Sequence, residues 1–169
     1  MISTDENTEN ANSYVSLEFA DNYFLTRGVA SWAELSNEEK ESALVRATDF
    51  VDNSFEWYGI KASETQELNF PRVNLFDKNG FEVTGIPLNL KKAVCVASLY
   101  ASKGKELFTV DETNGAVTSE QVGSIHITYD VSKKKEGETI YNEINSLLSG
   151  LYHDKKKKSI YGMKVGRVL

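Results

Sequence analysis

Cysteine, histidine and proline are scarce: the 169 residues hold one, two and two of them. A single cysteine makes no internal disulfide, and Cys95 sits in an apolar, helical context that suits a buried thiol better than a nucleophile. A reducing compartment is expected. Two histidines, His126 and His153, are too few to build a metal site on His/Cys spacing. His126 alternates with apolar neighbours and reads as an exposed strand residue. No apolar run reaches the roughly 18 residues that a membrane span requires. The start, MISTDENTEN, is polar and acidic and lacks the pattern of a signal peptide. There is no GxGxxG, no GxxxxGK[ST] phosphate loop and no GxSxG elbow, and no repeat of solenoid period. These absences point away from an enzyme and from any cofactor.

Positive charge is scarce in most of the chain. Residues 1–67 carry fourteen acids and four bases, residues 68–152 ten and nine, and residues 153–169 one acid and six bases, within a net charge of −6. An acidic body with a basic end is unlike a general nucleic-acid binder, which shows a basic face on its folded domain. It suits a chain whose tail meets something acidic.

What is present is mainly helical signal. The longest helix is expected from Ser36 to Trp57, closed by Gly59. Ser36 and Glu39 form a capping box, and Glu38, Glu39 and Glu41 sit at the positive end of the helix dipole. Leu44, Ala47, Thr48, Val51 and Phe55 make its apolar stripe, widened by Ala43 and Phe50, with Arg46, Asp49, Asp52 and Glu56 on the other side. A helix of this length needs cover for that stripe. Ser16 caps an earlier helix, Leu17 to Arg27, ended by Gly28. Trp32 is a packing anchor in the short link that follows. Pro87 opens a third helix that runs to about Lys103, with Leu90, Val94, Ala97 and Ala101 as its stripe. Thr139 caps a last helix carrying Ile140, Ile144, Leu147, Leu148 and Leu151, which ends near Gly150.

Between the second and third of these lies a long connector, Ile60 to Pro87, with little regular pattern; such length implies a task. Pro71 extends Phe70, so that Leu68 and Phe70 face a core and Asn69 faces away. Asp77 to Gly80 reads as a turn. Residues 106–121 read as a loop. Ile125, Ile127, Tyr129 and Val131 alternate with polar residues as a strand near 122–131. Its mate is expected in Phe81 to Val83, in Lys164 to Leu169, or in another subunit. The fold class is therefore mainly α: a helical bundle body with a small β element and an extended C-terminal arm. The divisions are a flexible N-terminus over 1–12, a helical domain over 13–152 and the arm over 153–169. Lys155 to Lys158 read either as a solubilising tail or as a site that docks on phosphate or an acidic protein surface. Ile160, Tyr161, Met163, Val165, Val168 and Leu169 are too apolar for a purely solubilising tail.

Several stretches in order resemble one family of tailed-phage proteins. They are Asn12-Ser13-Tyr14-Val15-Ser16-Leu17, Ala20 to Phe24, Arg27-Gly28, Trp32, Ala43-Leu44, Arg46 to Asp52, Leu68 to Arg72, Ile86-Pro87, Val122 to Ile125 and Gly166-Arg167-Val168. That family, often labelled DnaT-like single-stranded DNA-binding, resembles head–tail connector (adaptor, or head-completion) proteins. The resemblance covers roughly residues 10–169. It implies a structural virion protein of the phage neck, assembled in the host cytoplasm: a homo-oligomeric ring, commonly of twelve copies, beneath the portal protein. Such a ring extends the DNA channel towards a downstream tail or neck protein and serves packaged DNA without binding it sequence-specifically. No membrane partner is implied. The resemblance places the portal-docking arm at Lys155, Lys156, Lys157, Lys158, Ile160, Tyr161, Met163, Val165, Arg167, Val168 and Leu169. Subunit contacts are expected at Phe70, Pro71, Arg72, Ile125, Ile127 and Tyr129. Two other readings stand beside it: a single-stranded nucleic-acid-binding replication accessory centred on Lys155–Lys158 and Arg167, and a small cytosolic interaction module.

Overall fold

The longest helix starts where its cap chemistry requires. In the computed structural model, which describes residues 2–4, 10–104, 107, 119–122, 125–128 and 136–153, Ser36 Oγ accepts from Glu39 N and Glu39 Oε2 accepts from Ser36 N at 2.8 Å. This helix, α3 (Asn37–Ser54), follows α1 (Leu17–Leu25) and a single-turn α2 (Ala30–Ala33). The later helices are α4 (Leu88–Ser102) and α5 (Glu136–Leu148). Between α3 and α4 lie β1 (Ile60–Lys61) and β2 (Arg72–Val73), and between α4 and α5 lie β3 (Ser119–Val122) and β4 (Ile125–Thr128). Each pair of strands forms its own antiparallel ribbon, β1 with β2 and β3 with β4. The protein is mainly helical with small β elements.

The core lies where α4 packs between α3 and α5. Leu44, Ala47, Thr48 and Val51 of α3 and Leu90, Val94, Ala97 and Ala101 of α4 are all buried, as their spacing predicts. From α5, Ile144 and Leu148 close the other side, and Leu151 follows beyond the helix end. Ala93, Ala97 and Ala101 recur every four residues, so α4 presents a low ridge that lets its neighbours approach. Cys95 is buried in the same helix, and burial pushes its thiol up to about 12.

α1 is tied to this body by Asp21. Its Oδ1 accepts from Trp32 Nε1 at 2.8 Å and pairs with Lys40 Nζ at 3.0 Å. Trp32 is buried against Phe24, ring centroids 4.5 Å apart, which makes the one-turn α2 the anchor of its link. The near end of the N-terminal segment is held as well: Asn12 N donates to Ser3 O, and Ser3 N donates to Asn12 Oδ1.

Four expectations are corrected. α3 ends at Ser54, not Trp57, because Phe55 is extended (φ −125°, ψ 145°) and Trp57 pairs with Tyr152. Trp57 Nε1 takes the carbonyl of Asp52, so a tertiary donor satisfies a terminal carbonyl of the helix. Asp52 itself is not on a solvated face but buried. α5 begins three residues before Thr139, at Glu136. The mate of β4 is β3, directly before it in sequence, with Glu120 opposite Ile127 and Val122 opposite Ile125.

Candidate functional site

The connector between α3 and α4 is a built surface rather than a loose loop. Its anchor is Asp52, only 6 % exposed. Tyr14 Oη donates to Asp52 Oδ1, Asn69 N donates to the same carboxylate at 3.1 Å, and Asn69 Nδ2 donates to Oδ2 at 3.1 Å. Tyr14 Oη in turn accepts from Phe70 N at 3.1 Å. One carboxylate thus joins the N-terminal segment, the end of α3 and the middle of the connector. Burial raises the pKa of Asp52, against the lowering effect of these donors. Burial and the adjacent carboxylate raise that of Tyr14 strongly, so its proton stays on the phenol.

From this anchor the chain enters a cis Phe70–Pro71 bond. Phe70 is buried with its ring edge-on to Tyr14 and Trp57. Arg72 then clamps the segment onto itself, its guanidinium donating to Tyr58 O at 2.6 Å, Gly59 O at 2.8 Å and Asn69 O at 3.1 Å. Lys61 Nζ donates to the carbonyls of Gln66 and Glu67. Gly59 sits at φ +71°, and a Cβ there would lie 2.6 Å from Val73 O, so only glycine lets β1 approach β2 so closely. Beyond β2, Leu75 is buried, and Asp77 closes the expected turn by accepting from Asn79 N and Phe81 N. The bond from Phe81 N, with those from the turn, lowers the pKa of Asp77.

This frame leaves apolar side chains outside. Ile60 and Val73 face each other across the ribbon and are exposed, and Phe76 and Phe81 flank the turn at 54 % and 71 % exposure. The surface adjoins the start of the arm. Tyr58 N donates to Leu151 O, His153 N donates to Glu56 O, and the Tyr58 and His153 rings lie 4.0 Å apart. Phe55 packs on Tyr152 and stacks on Tyr141.

Of the expected contact residues, Phe70 lies in the interior and Pro71 and Arg72 are half-buried. Ile125 and Ile127 lie on β4. Tyr129 and the arm residues from Lys155 to Leu169 fall outside the described residues. Among the described residues no cluster of three His, Cys, Asp or Glu side chains forms a metal site, and no helix is long and apolar enough to cross a membrane. The Tyr14–Asp52–Asn69 cluster escapes sequence reasoning. Its one available signal is that Asn12 to Leu17 and Leu68 to Arg72 both stand among the stretches that carry the resemblance.

The class this defines is a mainly helical protein that displays an apolar, internally braced connector. The family model described as "Putative DnaT-like ssDNA binding protein" matches residues 1–168, and the chain belongs to that family. No curated protein and no solved structure matches it.

Proposed function

We propose that this protein is a structural component of a phage neck, a ring-forming head–tail connector that docks beneath the portal protein through its C-terminal arm and extends the DNA channel. The observation that carries this reading is the braced connector surface: a segment held by Asp52 and Arg72 that turns apolar rather than basic side chains outward. An apolar surface of this kind serves contact between proteins. The acidic balance of residues 1–67 also suits a channel that lets DNA pass, because phosphate contacts dominate DNA affinity. The arm combines Lys155–Lys158 with apolar anchor residues and starts beside the connector at His153.

The family description favours a second reading, single-stranded DNA binding. Phe76 and Phe81, exposed on either side of Lys78, are the described residues best suited to stack on bases. Co-sedimentation separates the two readings. Full-length protein is expected to pellet with the portal ring of its own phage, and a chain ending at Tyr152 is expected to stay in the supernatant. If neither pellets while full-length protein shifts single-stranded DNA at moderate salt, the connector reading fails and the nucleic-acid reading replaces it.

A further inference from the structure

Six of the eight large hydrophobic side chains exposed among the described residues lie between Tyr58 and Leu88: Tyr58, Ile60, Val73, Phe76, Phe81 and Leu88. With about 150–250 Å² for each fully exposed aromatic ring and somewhat less for each aliphatic chain, their exposed fractions amount to roughly 500–600 Å². The largest patch on a monomer is typically about 300–600 Å², and one side of a standard interface is about 800 Å². This surface is large enough to supply most of one side of such an interface.

We propose that this surface, with Phe76 and Phe81 at its tip, seats on the α1 end of a second copy of the chain, around Leu25. The inference rests on the ring-forming reading and adds which surfaces meet. Charge argues for a protein partner over nucleic acid. Residues 58–88 hold four acids and three bases, and two of those bases, Lys61 and Arg72, are turned onto backbone carbonyls of the same segment. That leaves Lys78 at the turn, too little for a phosphate backbone. Charge and polarity also select the second copy. Outside the patch, the exposed large hydrophobics are Tyr141, which stacks on Phe55, and Leu25, the most exposed of all at 77 %. Leu25 belongs to the half of the chain with fourteen acids and four bases, so an apolar tip carrying a lysine is attracted there. The two surfaces lie on different elements of one chain. Contact between them is therefore head-to-tail, the arrangement that closes into a ring when the rotation permits.

The test mixes two single-cysteine variants of the full chain, Asn22→Cys on α1 and Lys78→Cys at the turn, with a short bis-maleimide. Both positions are exposed, and Cys95 is buried. The expected product is a 22–78 cross-linked dimer that neither variant yields alone. Adding Phe76→Ser and Phe81→Ser to the Lys78→Cys chain should lower the yield at least tenfold with thermal unfolding unchanged. No 22–78 product at about millimolar protein, or only a 78–78 product, overturns the proposal. So does a pair of serine changes that leaves the cross-link intact and abolishes binding of single-stranded DNA. Cross-linking without portal binding would fail the connector reading alone, and portal binding without cross-linking would fail this contact alone.

Discussion

Replacing Asp52 by alanine tests whether the connector is held by the buried carboxylate. The change removes the acceptor for Tyr14 Oη, Asn69 N and Asn69 Nδ2. Tyr14 is fully enclosed and cannot find water in exchange, whereas Asn69 is half-buried and can. A buried donor left without a partner costs about 1–3 kcal/mol. One full penalty and one partial penalty, offset in part by no longer desolvating a carboxylate, give an expected loss of about 2–4 kcal/mol. For a chain of this length that is a fall in Tm of roughly 4–16 °C. Tyr14→Phe removes the same bond from the other side and also strips Phe70 N of its acceptor, so about 2–3 kcal/mol is expected. The two changes share one interaction, so the double variant should lose about 1–2 kcal/mol less than the sum of the single variants. Urea unfolding of the four proteins measures this directly. A loss under about 0.5 kcal/mol for Asp52→Ala, or strict additivity in the cycle, would refute the idea that this carboxylate braces the connector.

Other consequences follow from the same structure. The pKa of Asp52 is raised on folding, so the stability linked to its proton is complete below the ordinary carboxylate range and is lost as pH rises through its elevated titration. Asp52→Asn should remove that component, leaving the opposite trend of Glu39 and Asp77, whose lowered values give stability that is lost as pH falls; unfolding across the acid range checks the sign. Gly59→Ala should cost about 2 kcal/mol or more, combining left-handed strain with overlap on Val73 O, whereas Gly80→Ala, with nothing near its Cβ, should cost about 1–2 kcal/mol from strain alone; chemical denaturation separates them. Cys95, buried and with its thiol pushed up to about 12, should react with a maleimide only on unfolding, so labelling of native protein at neutral pH would contradict its placement.

The helices were the legible part of the chain because each announces itself locally. Ser16 and Ser36 cap where a hydroxyl can meet a first-turn amide, and Leu44, Ala47 and Val51 or Leu90, Val94 and Ala97 keep one phase through their helices. Asp52 was misread for the same reason. Its phase puts a carboxylate where a solvated face is expected, and only Tyr14 and Asn69, distant in sequence, make it an interior residue. The ribbon of β1 and β2 is too short, at two residues a strand, to show any period. Ser119-Glu120-Gln121-Val122 gives β3 no apolar alternation, so its pairing with β4 is set by adjacency rather than by side-chain pattern. α5 starts early because Glu136 and Glu138 suit a first turn, although Gly137 between them weakens the signal. Where the contact surface lies was half legible. The length of the connector marked it, but Phe70 belongs to the core while Ile60, Val73, Phe76 and Phe81 reach solvent, a sorting imposed by the Arg72 clamp and the Asp77 turn.

The central claim is best tested by weighing portal rings by mass photometry, with and without saturating full-length protein. A connector is predicted to add a fixed mass, a whole number of 18.9 kDa chains equal to the number of portal subunits, with no loss of binding when single-stranded DNA is present in excess. Portal rings that gain no mass, under conditions where the protein saturates single-stranded DNA, would contradict the connector account and leave the DNA-binding one standing.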